Sequence, residues 1–469
     1  MNKTFLHLST AVALCVAAPA VAEGPMIVTS SADSGDGSLR AALAAAETAT
    51  APVQIMIATP EDMFLDSGLV YAGTAPLTIF GAGQWIMTDA DETLLTSANG
   101  ADLAVHDLTF AGPGGFDINN RADADGSAGK GIFIDVRDDQ TGLVTLSLTN
   151  VGVYDVANHG IHVSDCSLAD DCGGGGGGAG EGSEASILVT LNNVVVDNAG
   201  NGKFDADGLR VDERGAGDIR VVGADLLFTR VGADGAELDE GQAGSVIVDM
   251  ANARFIDNGF YCDPAILEAF LPAEPEGEFD EGTTAEDAIP GPVTNAPDNT
   301  CIEREVGLYD DGSVEEYEFG IDVDDGFDVD EAGPGSIHAV LTNTDITANY
   351  DEGLDYDEED AGDIVISVKG FTGSGNTDDA IKMSEEGDGH VLGLIDGAVI
   401  TNNGGVGIVL EEADGGDIYS VVSGTVTAGN DDGELGLEVV QEDDGMGEVT
   451  VSASNITDGT EVEGVTLND

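Results

Sequence analysis

The chain of 469 residues carries 91 Asp and Glu side chains against 14 Lys and Arg, which gives a net charge of −77 at pH 7. A surface of that sign repels nucleic acid, anionic lipid and acidic polysaccharide, and it attracts cations, so we expect no nucleic acid partner. Apolar residues make up 42% of the chain, enough to fill a core, and this excludes a disordered protein. Adaptation to salty surroundings is an alternative cause of the same composition.

Residues 1–22 have the pattern of a secretion signal: a positive residue, an apolar run and a small-residue cleavage site, with cleavage expected after Ala22. A lipid anchor on Cys15 is disfavoured because the preceding Leu14 is bulky. No later window approaches the roughly 18 consecutive apolar residues that a bilayer-spanning helix needs. We therefore expect a secreted or periplasmic protein without a transmembrane segment.

Residues 23–52 are expected to form a cap. Met26 to Ser31 predicts a strand, and Ser38 is placed as the N-cap of an alanine-rich helix that runs to Glu47. The segment from Ser34 to Arg40, followed by a short helix, resembles the N-terminal cap of many secreted bacterial right-handed parallel β-helix proteins. Such a helix would cover the open edge of the first coil.

Residues 53–469 consist of short apolar runs separated by Gly, Asp and Asn, and six stretches among them follow one template of 27 residues. The template starts at Gly208, Gly235, Gly326, Gly353, Ala380 and Gly407. A glycine lies nine residues after each start, and an asparagine lies 23 residues after five of them: Asn258, Asn349, Asn376, Asn403 and Asn430. The first repeat carries Val231 there instead. A fixed period in the twenties with β-type alternation is typical of a solenoid whose coils bury their apolar faces by stacking.

Three apolar segments in each repeat predict three strands per coil, so the sequence predicts an all-β, right-handed parallel β-helix with coils of about 27 residues and an N-terminal capping helix. The asparagines would then stack inside the coil and hydrogen-bond along the axis. An internal asparagine ladder is similar to that of the pectate-lyase-like superfamily, and the resemblance covers most of the mature chain. It implies architecture, and polysaccharide lyase or glycoside hydrolase activity where activity exists.

Two insertions interrupt the repeat, at about 165–186 with a run of six glycines, and at about 260–319 with many Pro and Glu residues. Four cysteines remain after removal of the signal, an even number that suits two disulfides in an oxidising compartment. The pairs expected from their proximity in sequence are Cys166 with Cys172 and Cys262 with Cys301.

Acidic residues occupy positions four and five after the template starts, which predicts a carboxylate ladder on the outer surface. Two like charges about 4.8 Å apart repel by about 3.5 kcal/mol at an effective dielectric of 20, so cations, high ionic strength or partial protonation must offset the repulsion. Oxygen ligands at this density favour calcium, and the alternative is a solvated edge with diffuse counterions. The candidate metal ligands are Asp212, Glu213, Asp239, Glu240, Asp330, Glu331, Asp357, Glu358, Glu385, Glu411 and Glu412.

The stretch from Asn376 to Lys382, followed by Gly389-His390, resembles fragments of the polygalacturonase-type glycosidase signature, which makes Asp378, Asp379 and Lys382 catalytic candidates. The template alone also explains Asn376 and Gly389.

Arg210 and Asp239 are catalytic candidates because a pectate-type lyase, by resemblance, needs a basic residue beside calcium-binding aspartates. The alternative is that Arg210, with Arg214, Arg220 and Arg230, only neutralises nearby acids. His159 and His162 form either a transition-metal pair or ordinary turn histidines.

The leading hypothesis from sequence is a non-enzymatic, cation-dependent structural, adhesive or binding protein, because acids repeat in register while no catalytic constellation breaks the template. The alternative is a polysaccharide lyase or glycoside hydrolase acting on neutral or cationic glycans. Expected partners are cations and a neutral or cationic polysaccharide or cell-surface component. The oligomeric state stays open.

Overall fold

The computed structural model describes residues 24–122, 128–166, 182–283, 289–309, 311–413, 415–442 and 445–468. These residues wind into a right-handed parallel β-helix, as the repeat predicts, with long parallel sheets running along its axis. The predicted signal peptide lies outside the described residues. Within the described ranges, no helix is both long and apolar enough to cross a membrane.

The cap matches the sequence expectation. It consists of strand β1 (Met26–Val28) and helix α1 (Leu39–Ala46), and the Ser38 hydroxyl accepts a hydrogen bond from the Ala41 N–H at 3.2 Å as an N-cap. Leu39, Leu43 and Ala46 are buried and belong to the same apolar core as the coils, so α1 closes the end of the solenoid.

One strand from each coil enters a 12-stranded parallel sheet, which we call face 1. Its strands, numbered in chain order through the whole molecule, are β4 (Leu69–Tyr71), β6 (Leu95–Ser97), β8 (Ile132–Asp135), β10 (Ile161–Ser164), β12 (Leu209–Glu213), β14 (Ala236–Glu240), β19 (Phe327–Glu331), β22 (Leu354–Asp360), β25 (Ile381–Gly387), β28 (Val409–Glu412), β31 (Leu435–Gln441) and β34 (Gly459–Glu463).

The remaining coil strands form one bent sheet of 20 strands, whose two halves we call face 2 and face 3. Besides β1, its strands are β2 (Val53–Ile57), β3 (Met63–Leu65), β5 (Leu77–Thr88), β7 (Leu103–Ala111), β9 (Thr141–Tyr154), β11 (Glu184–Asp197), β13 (Ile219–Thr229), β15 (Val246–Ile256), β20 (Ile337–Thr342), β21 (Asp345–Thr347), β23 (Asp363–Lys369), β24 (Thr372–Ser374), β26 (His390–Asp396), β27 (Val399–Thr401), β29 (Asp417–Ser423), β30 (Val426–Ala428), β32 (Glu448–Ser452), β33 (Asn455–Ile456) and β35 (Thr466–Asn468).

The corner between faces 2 and 3 is made by single residues in the left-handed backbone region, which Asn and Asp tolerate better than other non-glycine residues. Asp107, Asn150 and Asn193 have φ of 57°, 53° and 51° and lie at the same place in successive coils. The Asn150 amide donates to Asp107 Oδ1 at 2.8 Å, and the Asn193 amide donates to Asn150 Oδ1 at 2.9 Å. This corner ladder continues beyond these coils through Asp225, Asn252 and Asn343.

The interior asparagine ladder is confirmed. The Asn258 amide donates to Asn349 Oδ1 at 3.0 Å, and Asn349 repeats the contact to Asn376 Oδ1 at 3.0 Å. The ladder ends where the Asn430 amide donates to Asp458 Oδ2 at 3.0 Å. Val231, the exception in the template, still joins it, because its backbone N–H donates to Asn258 Oδ1 at 3.1 Å.

A small subdomain stands between β15 and β19. It contains helix α2 (Pro264–Leu267), a 3-10 turn (Glu268–Phe270) and an antiparallel sheet of β16 (Glu276–Glu278), β17 (Glu305–Leu308) and β18 (Val314–Glu318). A second 3-10 turn (Asp431–Gly433) precedes β31.

The predicted Cys262–Cys301 disulfide is present and buried within this subdomain. Asp298 ties the subdomain to the coils through its ion pair with Arg121, and within the subdomain it accepts a hydrogen bond from the Tyr261 hydroxyl at 3.0 Å. The predicted pair of Cys166 with Cys172 stays a prediction, because Cys172 lies outside the described residues.

Candidate functional site

The acidic pairs on face 1 divide between the inside and the outside of the coil. Position four projects outward, but position five projects into the core, so the expectation that both belong to an outer ladder is wrong for the glutamates. The physical reason is strand alternation: position five has the same parity as the apolar positions one and three. The buried column, at most 3% exposed, consists of Glu213, Glu240, Glu331, Glu358, Glu385, Glu412 and Gln441.

The carboxyl groups of Glu213, Glu240, Glu331, Glu358 and Glu385 face one another in successive coils, and none of their oxygens meets an N–H or O–H donor among the described residues, so only a proton carried by one carboxyl can bridge it to the next. Burial, together with the hydrogen bond to Glu240, raises the pKa of Glu331 to about 11. Burial and the contact with Glu358 raise the pKa of Glu385 to about 9. Glu213, Glu331 and Glu385 therefore keep their protons at pH 7, whereas burial raises the pKa of Glu358 only to about 7, so the column carries less repulsion than a fully ionised ladder would.

The repeated glycine at position nine lies where the backbone of the previous coil and, in most coils, the buried glutamate both come close. A Cβ on Gly362 would overlap both Glu358 Oε1 and the carbonyl oxygen of Gly335 in the previous coil. Gly389 meets Glu385 and the Gly362 carbonyl in the same way. The glycine thus leaves the space in which the buried carboxyl lies.

The outer side of face 1 carries a second array, which we call the carboxylate surface. Four of the residues that precede a template start accept a hydrogen bond from the next coil, for example Asp207 Oδ1 from the Asp234 N–H at 3.1 Å and Asp325 Oδ1 from the Glu352 N–H at 2.7 Å. Position two stacks as Arg210, Glu237, Asp328, Asp355 and Lys382, and position four stacks as Asp212, Asp239, Asp330, Asp357 and Ser384. Arg210 and Lys382 therefore bracket three coils that have only acids at these positions.

Arg210 lies at the centre of the densest part of this surface and is only 7% exposed. Its Nε donates to Asp212 Oδ1 at 2.8 Å, and its terminal nitrogens contact Asp239 and Glu237. Arg214 Nη2 also donates to Asp239, at 2.5 Å. Burial works against the charge of Arg210, but the surrounding carboxylates outweigh it and raise the pKa of Arg210 well above its usual range.

His162 adds a group that no repeat predicts. Its Nε2 lies 2.7 Å from Asp212 Oδ2, while its Nδ1 is buried and has no hydrogen-bond partner among the residues that the structure describes. His159, 4.5 Å away between ring centroids, accepts the Asp207 N–H at its Nδ1 at 3.0 Å. Burial, followed by the positive charge of Lys130, lowers the pKa of both histidines well below 6.5, so both imidazoles are neutral.

Asp207 and Asp212 both contact the guanidinium of Arg210, but the pKa of Asp207 is raised whereas the pKa of Asp212 is lowered. Burial raises the pKa of Asp207 to about 7, against the opposing effect of Arg210. Burial alone would also raise the pKa of Asp212, but Arg210 and the hydrogen bond from His162 lower it well below 3.8. At neutral pH, one carboxyl can donate a proton while the other stays ionised.

Of the catalytic candidates from sequence, the structure brings Arg210 and Asp239 together. It keeps Asp378, Asp379 and Lys382 four coils away, where the backbone N–H of Val406 donates to Asp379 and Lys382 Nζ lies 2.9 Å from Asp355 Oδ2. Asp378 is exposed. The fragments that resemble a glycosidase signature thus make contacts that belong to the repeat.

The sequence reasoning missed the pairing of His162 with Asp212. His162 aligns with Arg210 on the next coil, but 48 residues separate them because the first insertion intervenes. The signal was the apolar pattern at Ile161 and Val163, which matches Leu209 and Val211 of the template. Arg220 and Arg230 do not join the cluster: Arg220 lies on face 2, and Arg230 pairs with Asp197 on face 3.

Several sets of acids on this surface have the geometry to hold a metal ion. Within the described residues, the carboxylate oxygens of Glu237, Asp239 and Asp330 lie within 4.8 Å of one another. Asp239 is fully buried and its Oδ1 has no hydrogen-bond partner there. The other sets are Asp205 with Asp207 and Glu237, Asp234 with Glu237 and Asp328, Asp325 with Glu352 and Asp355, and Asp351 with Glu352 and Asp378.

By fold and surface, the chain is a right-handed parallel β-helix protein with a carboxylate-rich outer face. No family model matches it, and no curated protein matches it in sequence.

Solved structures do match its fold. The A-module of the mannuronan C-5 epimerase AlgE6 from Azotobacter vinelandii is 11% identical, with 95% of this chain and 99% of that chain covered and a TM-score of 0.38. The periplasmic alginate epimerase AlgG is 9% identical, with 88% and 77% covered and a TM-score of 0.33. The catalytic unit of a GH87 α-1,3-glucanase from Streptomyces thermodiastaticus is 15% identical, with 96% and 71% covered and a TM-score of 0.33. All three are carbohydrate-active enzymes by name, and at TM-scores below 0.5 these likenesses carry no argument about this chain.

Proposed function

We propose that the protein acts outside the cytoplasm as a glycoside hydrolase on neutral or cationic polysaccharide, with its reacting groups around Arg210. The observation that carries the proposal is the pair Asp207 and Asp212. Both are buried, both face the same guanidinium, and their environments push their pKa values apart. Pairs of carboxyl groups separated in this way perform acid and base roles in glycoside hydrolysis.

Asp207 is the general acid in this proposal. Its Oδ2 lies 3.6 Å from Arg210 Nη1 and 3.2 Å from His159 Nδ1, so substrate binding must draw a proton on Oδ2 away from His159 and toward the glycosidic oxygen. Asp212 is the ionised partner, which removes a proton from water or attacks the anomeric carbon. His162 holds Asp212 through Nε2 and is a positioning residue.

The charge around the site favours hydrolysis over β-elimination. A lyase for acidic polysaccharide must neutralise the substrate's carboxylate with cationic groups. Here the nearest cations, Arg210 and Arg214, already face Asp212 and Asp239. A further substrate carboxylate would meet net repulsion, whereas a neutral sugar would not.

The test is incubation of the mature chain with dextran, galactomannan, β-glucan and chitosan, read for new reducing ends and for absorbance of unsaturated products. We expect reducing ends without unsaturated product from at least one of them. Asp207→Asn should lower the rate by about 100-fold or more, because general acid catalysis contributes about that much. The matched control, Asp378→Asn, changes an exposed acid of the same face and should keep the rate. Full activity in the Asp207 variant would place the centre elsewhere, and no cleavage of any polymer would overturn the proposal.

A second candidate function, a calcium-dependent binding protein, is favoured by the buried and unpartnered Asp239 Oδ1. Glu237, Asp239 and Asp330 would hold the ion, since oxygen-only ligands suit calcium, and its charge would offset the repulsion between coils that lack a Lys or Arg at these positions. Metal analysis of the purified protein, with Asp330→Asn as the comparison, tests this. If the purified protein contains no metal and neither calcium nor chelator changes its melting temperature, this second candidate function is wrong.

A further inference from the structure

Face 3 carries an exposed aromatic group near the capped end, far from the acids of face 1. Trp85, the only tryptophan of the chain, is 40% exposed, and Phe64 on the neighbouring strand is 59% exposed. Both project outward because their strand neighbours Ile86, Met63 and Leu65 fill the core. Single exposed apolar side chains are common on this chain, but exposed aromatic side chains on adjacent strands form a patch, and such a patch indicates an interaction site.

Specific contacts hold the exposed aromatic side chains in place. The rings of Trp85 and Tyr154 stack with centroids 5.5 Å apart and planes 25° apart, although the two residues lie two coils apart. Gly152 makes this possible, since a Cβ there would overlap the Tyr154 ring. The Trp85 backbone is also fixed, because its N–H donates to Asp62 Oδ1 at 2.8 Å.

The same outward column continues along the axis. Register places Trp85, Thr109, Gly152, Val195, Leu227 and Arg254 in successive coils. Val195, Leu227 and Arg254 line a shallow cavity of about 420 Å³. We call the surface from Phe64 through Trp85 and Tyr154 to this cavity the aromatic stripe.

We propose that the aromatic stripe is a binding subsite for a neutral polysaccharide that lies along the solenoid axis. Flat aromatic faces with a polar rim suit the apolar C–H faces of sugar rings, and the rim here includes Asp62 and Asp197. The net charge of −77 disfavours a polyanion, although Arg254 lies in the stripe and Arg230 pairs with Asp197. The inference takes its substrate class from the proposed function, but it uses none of the residues around Arg210.

Because Trp85 is the only tryptophan, its fluorescence reports this surface directly. Titration of the full mature chain with dextran, galactomannan and β-glucan should change the Trp85 emission and protect it from acrylamide quenching for at least one of them. Sodium polygalacturonate should leave the emission unchanged. If no neutral polymer changes the Trp85 emission, or if polygalacturonate does change it, the proposal is wrong.

Affinity electrophoresis in gels containing the responding polymer provides the second readout. Trp85→Ala and Tyr154→Ala should each weaken retardation by about fivefold, since a lost aromatic contact costs on the order of 1 kcal/mol. Tyr419→Ala, which removes a ring 46% exposed on face 2, is the matched control and should keep full retardation. Unchanged retardation of both stripe variants would also overturn the proposal.

The two proposals fail separately. A Trp85→Ala variant that still cleaves short oligosaccharides but no longer binds the polymer supports both. Emission changes in a protein that cleaves nothing would keep the aromatic stripe and remove the hydrolase. Cleavage of a polymer without any change in Trp85 emission would keep the hydrolase and remove the aromatic stripe as a binding subsite.

Discussion

On face 1, adjacent acidic residues of one strand lie on opposite sides of the sheet, and Asp239 and Glu240 are an example. Asp239 projects outward among arginines and other acids, whereas Glu240 projects into the core and stacks on Glu213 and Glu331. The two side chains differ by one methylene and one step of strand parity. The position of a residue along the strand, odd or even, therefore decides whether its carboxyl group lies among the outer charged groups or against another carboxyl group in the core.

The largest effect expected from this contrast is a fall in stability as pH rises. Glu385, with a pKa raised from 4.5 to about 9, keeps its proton in the folded state when the unfolded chain has lost it. Its contribution is complete below pH 4.5 and is lost as pH rises from 4.5 to about 9. Glu331 and Glu213 act in the same direction. Melting temperatures across pH 5 to 9 should decrease steadily, and a profile that is flat or rises would contradict a protonated interior.

The space reserved for the glutamate column can be closed by one methyl group. Gly362→Ala places a Cβ against the Gly335 carbonyl and Glu358 Oε1, so the backbone must shift. We expect a loss of about 2–3 kcal/mol in the free energy of unfolding, measured by chemical denaturation. Gly320→Ala, where no atom lies within 4 Å of the added Cβ, is the control and should change little. Equal stabilities for the two variants would mean that the glycine has no steric role.

The effect of calcium on stability should depend on the outer carboxylates and not on the inner ones. At a concentration of 100 times the dissociation constant, a ligand bound only by the folded state adds about 2.7 kcal/mol. This gain should disappear in Asp330→Asn and persist in Glu385→Gln, since Glu385 faces the core. Differential scanning calorimetry in low salt, with and without chelator, measures it. Loss of the gain in both variants would show that the two arrays are not independent.

The smallest effect concerns a single rung of the column. Glu385→Gln should stabilise the protein by about 1 kcal/mol at pH 8, because the amide donates to a neighbouring carboxylate without a proton being needed. At pH 5 the change should be close to zero. Gln441 already occupies the last place in the column. Destabilisation at pH 8 would indicate that the glutamates are held by something other than shared protons.

The fold was predictable because its signals are periodic. Asn258 and Asn349 lie at one template position, and their amide contacts follow from stacking. The burial of Glu358 was also predictable, because Glu358 has the same strand parity as the apolar positions Leu354 and Tyr356, although a glutamate is more common at the surface.

The candidate site was only partly predictable, because it lies where the period breaks. Arg210 and Asp239 are one coil apart and were recognised together. His162 reaches Asp212 across the first insertion, so their distance in sequence hides a contact of 2.7 Å. Trp85 and Tyr154 likewise lie in irregular coils ahead of the template.

The Asp298 anchor gives the solenoid an uneven order of unfolding. A rod whose coils touch only their neighbours loosens from its ends. Asp298, however, ties the subdomain after β15 to Arg121 after β7, so the intervening coils must separate together. From β19 onward, no such long-range tie is found in the parts of the chain that the structure describes. Heat or force should therefore peel the molecule from its carboxyl end and leave the Arg210 cluster among the last parts to come apart.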